Sequence, residues 1–290
     1  MVTRRIARIV RPQPTVEGAG VHLLRSIGTG QLDNLDPFLL LDHFESSRPS
    51  DYSAGFPFHP HRGIETVTIL RKGQVRHGDS LGHQGSIGAG DVQWMTSGSG
   101  ILHEEMPVVR REGIAGLQLW LNLPAHEKMT RPKYRDLRAH KLEEWLTEDG
   151  AKLRVLAGEA QGGRSQGPVS GLWVAPKFID VVLPEGAVFR EEITAGHTAF
   201  AYLEQGTVSF GGPGAERTVE GPALVVFSDG DLVRAAGVDK GGRFLLAAAR
   251  PLGEPIARYG PFVMNTPEEI QQTLADLRSG RFIRHEAIDA

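Results

Sequence analysis

Eight short apolar runs set the terms for what this chain can fold into: Thr66–Leu70, Val92–Met95, Leu117–Leu121, Leu153–Leu156, Phe178–Val182, Thr198–Leu203, Leu224–Phe227 and Phe244–Ala248. They are rich in Val, Ile, Leu and Phe, they are brief, and they are bounded by Gly, Pro or Asp, which is the signature of strands. A doubly wound α/β fold needs a helical stretch between most such runs, and the sequence does not supply them. The chain therefore reads as all-β. Its 36 glycines and 18 prolines are spread along the whole 290 residues, as suits many short strands joined by tight turns.

The runs also repeat. Glu65–Val75 carries a strand into a turn at Gly73 and out again, and Ala199–Val208 does the same around Gly206. Gly90-Asp91 is echoed by Gly230-Asp231, each pair at the entry to a strand and each a similar distance past its glycine turn. Two copies of one barrel is the economical reading. We place the division in the charged stretch between Thr130 and Asp149, giving domains 1–132 and 133–290, with a short helix expected over Leu137–Leu146. A second helix is expected over 266–280, closing the C-terminal domain. There Thr266 stands at the N-cap, Pro267 at the first helical position and Glu269 where a capping box needs it. Ile270, Leu274 and Leu277 share one face, and Gly280 can end the helix.

Composition excludes several chemistries. With no cysteine there is no disulfide, thiolate zinc site, iron–sulfur cluster or cysteine nucleophile. Any metal must be held by His, Asp, Glu, carbonyl or water. A formal charge of −3 gives no global attraction to nucleic acid or anionic membrane. No run approaches the roughly 20 apolar residues of a membrane span. The basic start, Arg4, Arg5 and Arg8, lacks the apolar segment of a secretory leader, so a cytoplasmic protein is expected.

His59-Pro60-His61 is the most informative tripeptide. In an extended segment residues two apart share a face, so both imidazoles can converge on one point, and Pro60 favours that extended geometry. His103 and Glu105 repeat the spacing, with Glu104 pointing away. Two such pairs on neighbouring strands would supply three neutral nitrogens and a carboxylate, a set suited to Fe(II) or another divalent transition metal and not to Mg or Ca. Glu65 competes with Glu105 for the carboxylate position, because it shares parity with His61 if the strand runs unbroken through Gly63. The remaining histidines have plainer readings. His77 and His83 fall in a glycine-rich hairpin and are expected in solvent, and His126 and His140 lie in the charged connector. His197 has no partner at ligand spacing, which leaves the second barrel metal-free. His43 is a candidate to approach the first site.

The order of these motifs, H-x-H, then a glutamate, then a lone His after a Gly-Asp turn, resembles the two-motif pattern of cupins. The match narrows with DPFLLLDHF (Asp36–Phe44), HPHRGIETV (His59–Val67), GDVQWMTSGSGILHEEMP (Gly90–Pro107), GLQLWLNL (Gly116–Leu123) and GPFVMNT (Gly260–Thr266). Together these resemble the pirins, a family of two-domain cupins, over nearly the whole chain. The resemblance implies two tandem cupin (double-stranded β-helix, jelly-roll) barrels, the first binding metal. It implies His59, His61, His103 and Glu105 as ligands, deciding the fork for Glu105 and leaving Glu65 to orient an imidazole or to sit inside the barrel.

It also implies iron, and an activity like that of quercetin 2,3-dioxygenases, which open a flavonol or similar enol with O₂. Glu105 would then act as ligand and base, since four protein ligands leave one or two positions for substrate and O₂. Gln93, Trp94 and Met95 are candidates to line the pocket, and Phe56 and Phe58 to rim it. Animal pirins are tied to transcriptional co-regulation, so the rival reading is a non-catalytic, iron-dependent redox sensor acting on a protein partner. A monomer is expected.

Overall fold

The computed structural model describes residues 1–285. All eight apolar runs lie inside strands, and the chain is built of short β-strands with one α-helix among the described residues, Pro267–Arg278. The strands form two compact units that interleave in sequence. One comprises Pro14–Gly28, Phe38–Ala139 and the chain from Leu252 onward. The other comprises Met1–Gln13, Thr29–Pro37 and His140–Pro251. The expected division at 132/133 runs close to one of these junctions. The N-terminal strand Ile6–Val10, however, pairs antiparallel with Ala223–Phe227 of the later unit, and the terminal helix belongs to the earlier one.

In the earlier unit a seven-stranded sheet runs in the order Lys133–Leu137, Val92–Thr96, Ile64–Lys72, Ile114–Asn122, Phe38–Ser46, Val21–Ile27 and Gln13–Glu17. A four-stranded sheet runs Phe56–His61, Ile101–Pro107, Gln74–Asp79 and Gln84–Gly88. The expected helix over 137–146 does not form. Lys133–Leu137 pairs with Val92–Thr96 as an edge strand, and Glu144–Leu146 pairs with Lys152–Ala157. Edge pairing with an existing sheet overrides a local helical preference worth only tenths of a kcal/mol per residue.

The terminal helix has the capping box read from its sequence. Glu269 N–H donates to Thr266 Oγ1 at 3.2 Å, and Thr266 N–H donates to Glu269 Oε2 at 2.9 Å. Its buried face is partly polar, with Thr273 and Asp276 beside Ile270, while Leu274 and Leu277 are half-buried. Those two polar residues grip Arg62, the residue after His61. Arg62 Nη1 donates to Asp276 Oδ2 at 2.8 Å and Thr273 Oγ1 at 3.2 Å, and its Nε donates to the Ser99 carbonyl at 2.7 Å. Lys128 Nζ donates to the carbonyls of Gly63 and Val263 and to Asn122 Oδ1, at 2.7 to 3.0 Å. A histidine-bearing segment is thus fixed by two buried cations whose hydrogen bonds go to named acceptors.

The later unit is built on a nine-stranded sheet, beside a two-stranded ribbon of Glu159–Ala160 and Ser165–Gln166, and in the large sheet Thr198–Phe210 and Leu232–Ala249 pair with each other along most of their length. Each also takes further partners at its two ends, so the sheet bends round on itself. The bend in Thr198–Phe210 falls at Gly206, with φ +84°, where a Cβ would meet the Gly241 carbonyl at 2.1 Å. Gly73, with φ +86°, faces the Gly113 carbonyl in the same way in the earlier unit, at 2.6 Å. The internal repeat therefore has a steric basis: both turns admit no side chain.

Candidate metal centre

Strands Phe56–His61 and Ile101–Pro107 are antiparallel neighbours, with His103 opposite His59 and Ile101 opposite His61. The two-residue period turns His59, His61 and His103 to one point. Their ring centroids are 4.4 to 5.0 Å apart, and one nitrogen from each lies within 4.8 Å of the others. This is the one trio of His, Cys, Asp or Glu so placed among the described residues.

The His59 Nδ1 lies 2.9 Å from the Pro57 carbonyl, which can only accept, so its Nε2 presents a lone pair. That Nε2 is 3.1 Å from His61 Nε2. Buried His103 Nε2 has no hydrogen-bond partner, while its Nδ1 lies 3.1 Å from the Tyr134 hydroxyl. Burial first, then the neighbouring His59, lowers the His61 imidazole to about 3, with the Pro261 carbonyl partly opposing. Burial also drives His103 well below the ordinary histidine range, with His61 and His59 adding to it. The buried imidazoles of His61 and His103 are therefore neutral at physiological pH, with nitrogens converging beside His59. That is the state a divalent cation requires of its ligands.

Glu105 follows on the same face of its strand, after a register shift that sets it opposite Phe56. It is buried, and its carboxylate lies outside the 4.8 Å trio, where Oε1 accepts from Thr68 Oγ1 at 3.0 Å. Burial raises its pKa, against the pull of His59 and the Thr68 hydroxyl. Glu65 lies elsewhere. The chain turns at Gly63, with φ +81°, where a Cβ would strike the Val263 carbonyl at 2.0 Å. Ile64–Lys72 thereby passes to the other sheet, and the parity argument through Gly63 fails. Glu65 sits with Val67 and Ile69 on the face of the strand opposite Thr68, accepting from Thr96 Oγ1 at 2.7 Å.

His43 also faces away, on the side of its strand opposite Asp42, with Glu45 at 3.8 Å. His77 is buried, against the expectation of a solvated hairpin. It is opposite Glu105 in register, stacked on Tyr134 at 5.7 Å and 9° with Asp136 3.4 Å away. His83 is half-buried, with Nδ1 2.8 Å from Asp79 Oδ2. Around His197 the structure gathers no trio; burial lowers its pKa, and its carbonyl accepts from Arg4.

His59, His61 and Glu105 line a cavity of about 580 Å³ within this unit. Its walls are mostly apolar, including Leu40, Phe44, Val75 and Trp120, with Phe56 at the side. Phe58 is exposed instead, and Gln93, Trp94 and Met95 lie outside the lining: Gln93 donates to Asp136, and Met95 packs with Leu81 and Ile101. Arg25 and Asp42 make a paired polar corner, with two bonds of 2.7 Å. Arg258 sits over the Trp120 ring at 5.1 Å, and Trp120 in turn meets His61 edge to face at 5.1 Å.

Sequence reasoning missed Thr68, Gln118 and Tyr134. Thr68 and Gln118 left a signal. In Thr66–Ile69 and Leu117–Trp120 the polar residues alternate with fully buried aliphatics, which marks a strand with a polar inner face. Tyr134 left none, because its approach to His103 depends on the edge pairing of its strand.

A two-barrel cupin with a three-histidine centre opening on an apolar cavity is what fold and site define. Residues 20–121 match the pirin family and residues 178–283 match the pirin C-terminal cupin domain. The chain is 42% identical to a pirin-like protein of Caulobacter vibrioides over 97% of this chain and all of that one. It is 41% identical to human pirin over 96% of this chain and 94% of that one. A crystal structure of quercetin 2,3-dioxygenase from Acinetobacter baumannii is 34% identical, with a TM-score of 0.87, covering 97% of this chain and 99% of that one. The chain belongs to the pirin family. Its histidine trio, with these relatives, implies a divalent metal.

Proposed function

We propose that this protein is an Fe(II)-dependent oxygenase of the quercetin 2,3-dioxygenase type, opening a flavonol or a similar enol with O₂. The observation that carries this reading is the convergence of three imidazoles, two of them buried, beside a buried carboxylate at a largely apolar cavity. His59, His61, His103 and Glu105 hold the metal in this reading, and the neutral nitrogens and single carboxylate suit Fe(II), with other divalent transition metals able to compete. Bound there, the metal supplies the redox and Lewis-acid chemistry that reaction of an enolate with O₂ needs.

The chain's own residues bind, orient and move a proton. The cavity takes a flat aromatic substrate between apolar walls and excludes water from it. Glu105 removes the enol proton onto its carboxylate, which Thr68 holds in place. Tyr134 fixes the orientation of His103, the usual role of a partner on the distal nitrogen of a ligand imidazole.

The test pairs metal analysis with oxygen uptake. Purified protein is expected to hold about one iron-type ion per chain, and anaerobic iron-loaded protein mixed with quercetin is expected to consume O₂ on exposure. Full metal content without O₂ uptake on any flavonol or enediol would refute the oxygenase and leave the metal centre standing.

A further inference from the structure

Of the three histidines in the trio, His61 has the least support from its sheet. Phe56–His61 is the edge strand of its four-stranded sheet, and His61 is its last residue, paired on one side only, with Ile101. His103, by contrast, lies inside a strand paired on both sides, with His59 and Asp79 opposite it. The end of an edge strand is where a ladder frays first, yet His61 is buried. Its position has to be fixed from outside the sheet.

The support comes from the C-terminal segment. Val263 N–H donates to the Arg62 carbonyl at 3.1 Å, and Phe262 lies beside Arg62 as a parallel neighbour just past His61. The Arg62 side chain is 1% exposed. Besides the Ser99 carbonyl, its guanidinium donates to Asp276, Thr273 and the Phe282 carbonyl, and it stands 4.5 Å over the Phe282 ring. Thr273 gives its own hydrogen to the Glu269 carbonyl at 2.8 Å, so its oxygen is set to accept from Arg62. A buried guanidinium that loses its acceptors has to move. Arg62 cannot do so without dragging the backbone it shares with His61. On the other side Gly63 is packed so closely on the Val263 carbonyl that it admits no side chain, which leaves no slack there.

We propose that Asp276 and Thr273 are positioning residues of the metal centre: through Arg62 they hold His61 where it meets His59 and His103, so that docking of the C-terminal helix and binding of metal are coupled. The coupling is reciprocal, as linkage between two sites must be. A docked helix tightens the metal site, and bound metal holds the helix down. This rests on the reading that His61 is a metal ligand.

The experiment uses the full chain and cobalt(II), whose visible bands report the geometry of its ligands. In competition with a chelator, Asp276→Asn is expected to bind cobalt about tenfold more weakly than the wild type, the scale of losing a contact that supports a ligand, and its bands are expected to shift. Arg284→Ala removes the exposed arginine from the same carboxylate and leaves Arg62 held, so it is expected to keep wild-type affinity and bands. Hydrogen exchange of the wild type needs no variant to fold. The amides of Pro267–Arg278 are expected to exchange about tenfold more slowly with cobalt than without, while those of Thr198–Phe210 in the other unit do not change. Wild-type affinity and bands in Asp276→Asn, or helix exchange indifferent to cobalt, overturns the proposal. If His61→Ala loses cobalt in those cases, the ligand reading stands alone. If His61→Ala binds cobalt like the wild type, that reading falls and this inference with it.

Discussion

The two barrels of this chain share a register and differ in what fills them. Strands Ile64–Lys72 and Ile114–Asn122 of one correspond to Thr198–Phe210 and Leu232–Ala249 of the other. Thr68 opposite Gln118 becomes Ala201 opposite Leu246, Thr66 opposite Trp120 becomes Ala199 opposite Ala248, and Leu70 opposite Gly116 becomes Leu203 opposite Phe244. The last exchange is the most consequential. A Cβ at Gly116 would lie 2.6 Å from the Phe44 ring, so that position is closed to side chains. In the other barrel Phe244 is fully buried, edge to face with Phe189 at 5.6 Å and with Phe210 at 5.4 Å. One barrel fills its interior with an aromatic plug, and the other keeps a cavity with two of the three imidazoles on its wall. The frame is common property; function lies in which inward positions are left unfilled.

The largest expected effect breaks the comparison at the histidines. His61→Ala is expected to lose most bound metal, since it removes one of the three converging nitrogens, while His197→Ala in the other unit is expected to lose none. Elemental analysis of the purified variants decides it. Equal metal in both would put the metal somewhere other than the trio.

Next in size is the aromatic plug. Phe244→Ala empties a site packed on all sides and is expected to cost about 3–5 kcal/mol in denaturant unfolding, as for other fully buried phenylalanines. Bound metal should stay at the wild-type level, because the histidine trio lies in the other unit. A loss below about 1 kcal/mol would mean the barrel is not filled as described.

How much of this was legible in the sequence depends on the range of the interaction. The strands were legible because apolar runs and glycine turns are local. So was the trio, since period-two spacing places His59 and His61 on one face, and a neighbouring strand is enough to bring in His103. The C-terminal helix could be read down to its capping box for the same reason. Its seat could not be read, because that depends on Arg62 meeting Asp276 across more than two hundred residues. Glu65 was placed by a parity that the turn at Gly63 cancels, and the burial of His77 follows from a pairing with Glu105 that only the assembled sheet sets.

The smallest expected effect sharpens the contrast at that seat, where a helix holds the residue next to a ligand. Burial pushes the Asp276 carboxyl up, but hydrogen bonds from Arg284, Arg62 and Gln272 outweigh it and hold it at about 2. An unfolded aspartate titrates near 3.9. The unfolded chain therefore binds the proton first, so the carboxylate's contribution is complete above about pH 4 and is lost as pH falls toward 2. It amounts to about 2 kcal/mol. Because Pro267–Arg278 is the one α-helix among the described residues, circular dichroism at the helical band reports this region. In the wild type the stability of that signal to denaturant is expected to decline between pH 4 and pH 2. In Asp276→Asn, which keeps the shape but cannot ionise, it should start lower and vary less over the same interval. An Asn variant as acid-sensitive as the wild type would show that the pull of Arg62 and Arg284 on Asp276 is not what keeps the helix beside the metal centre.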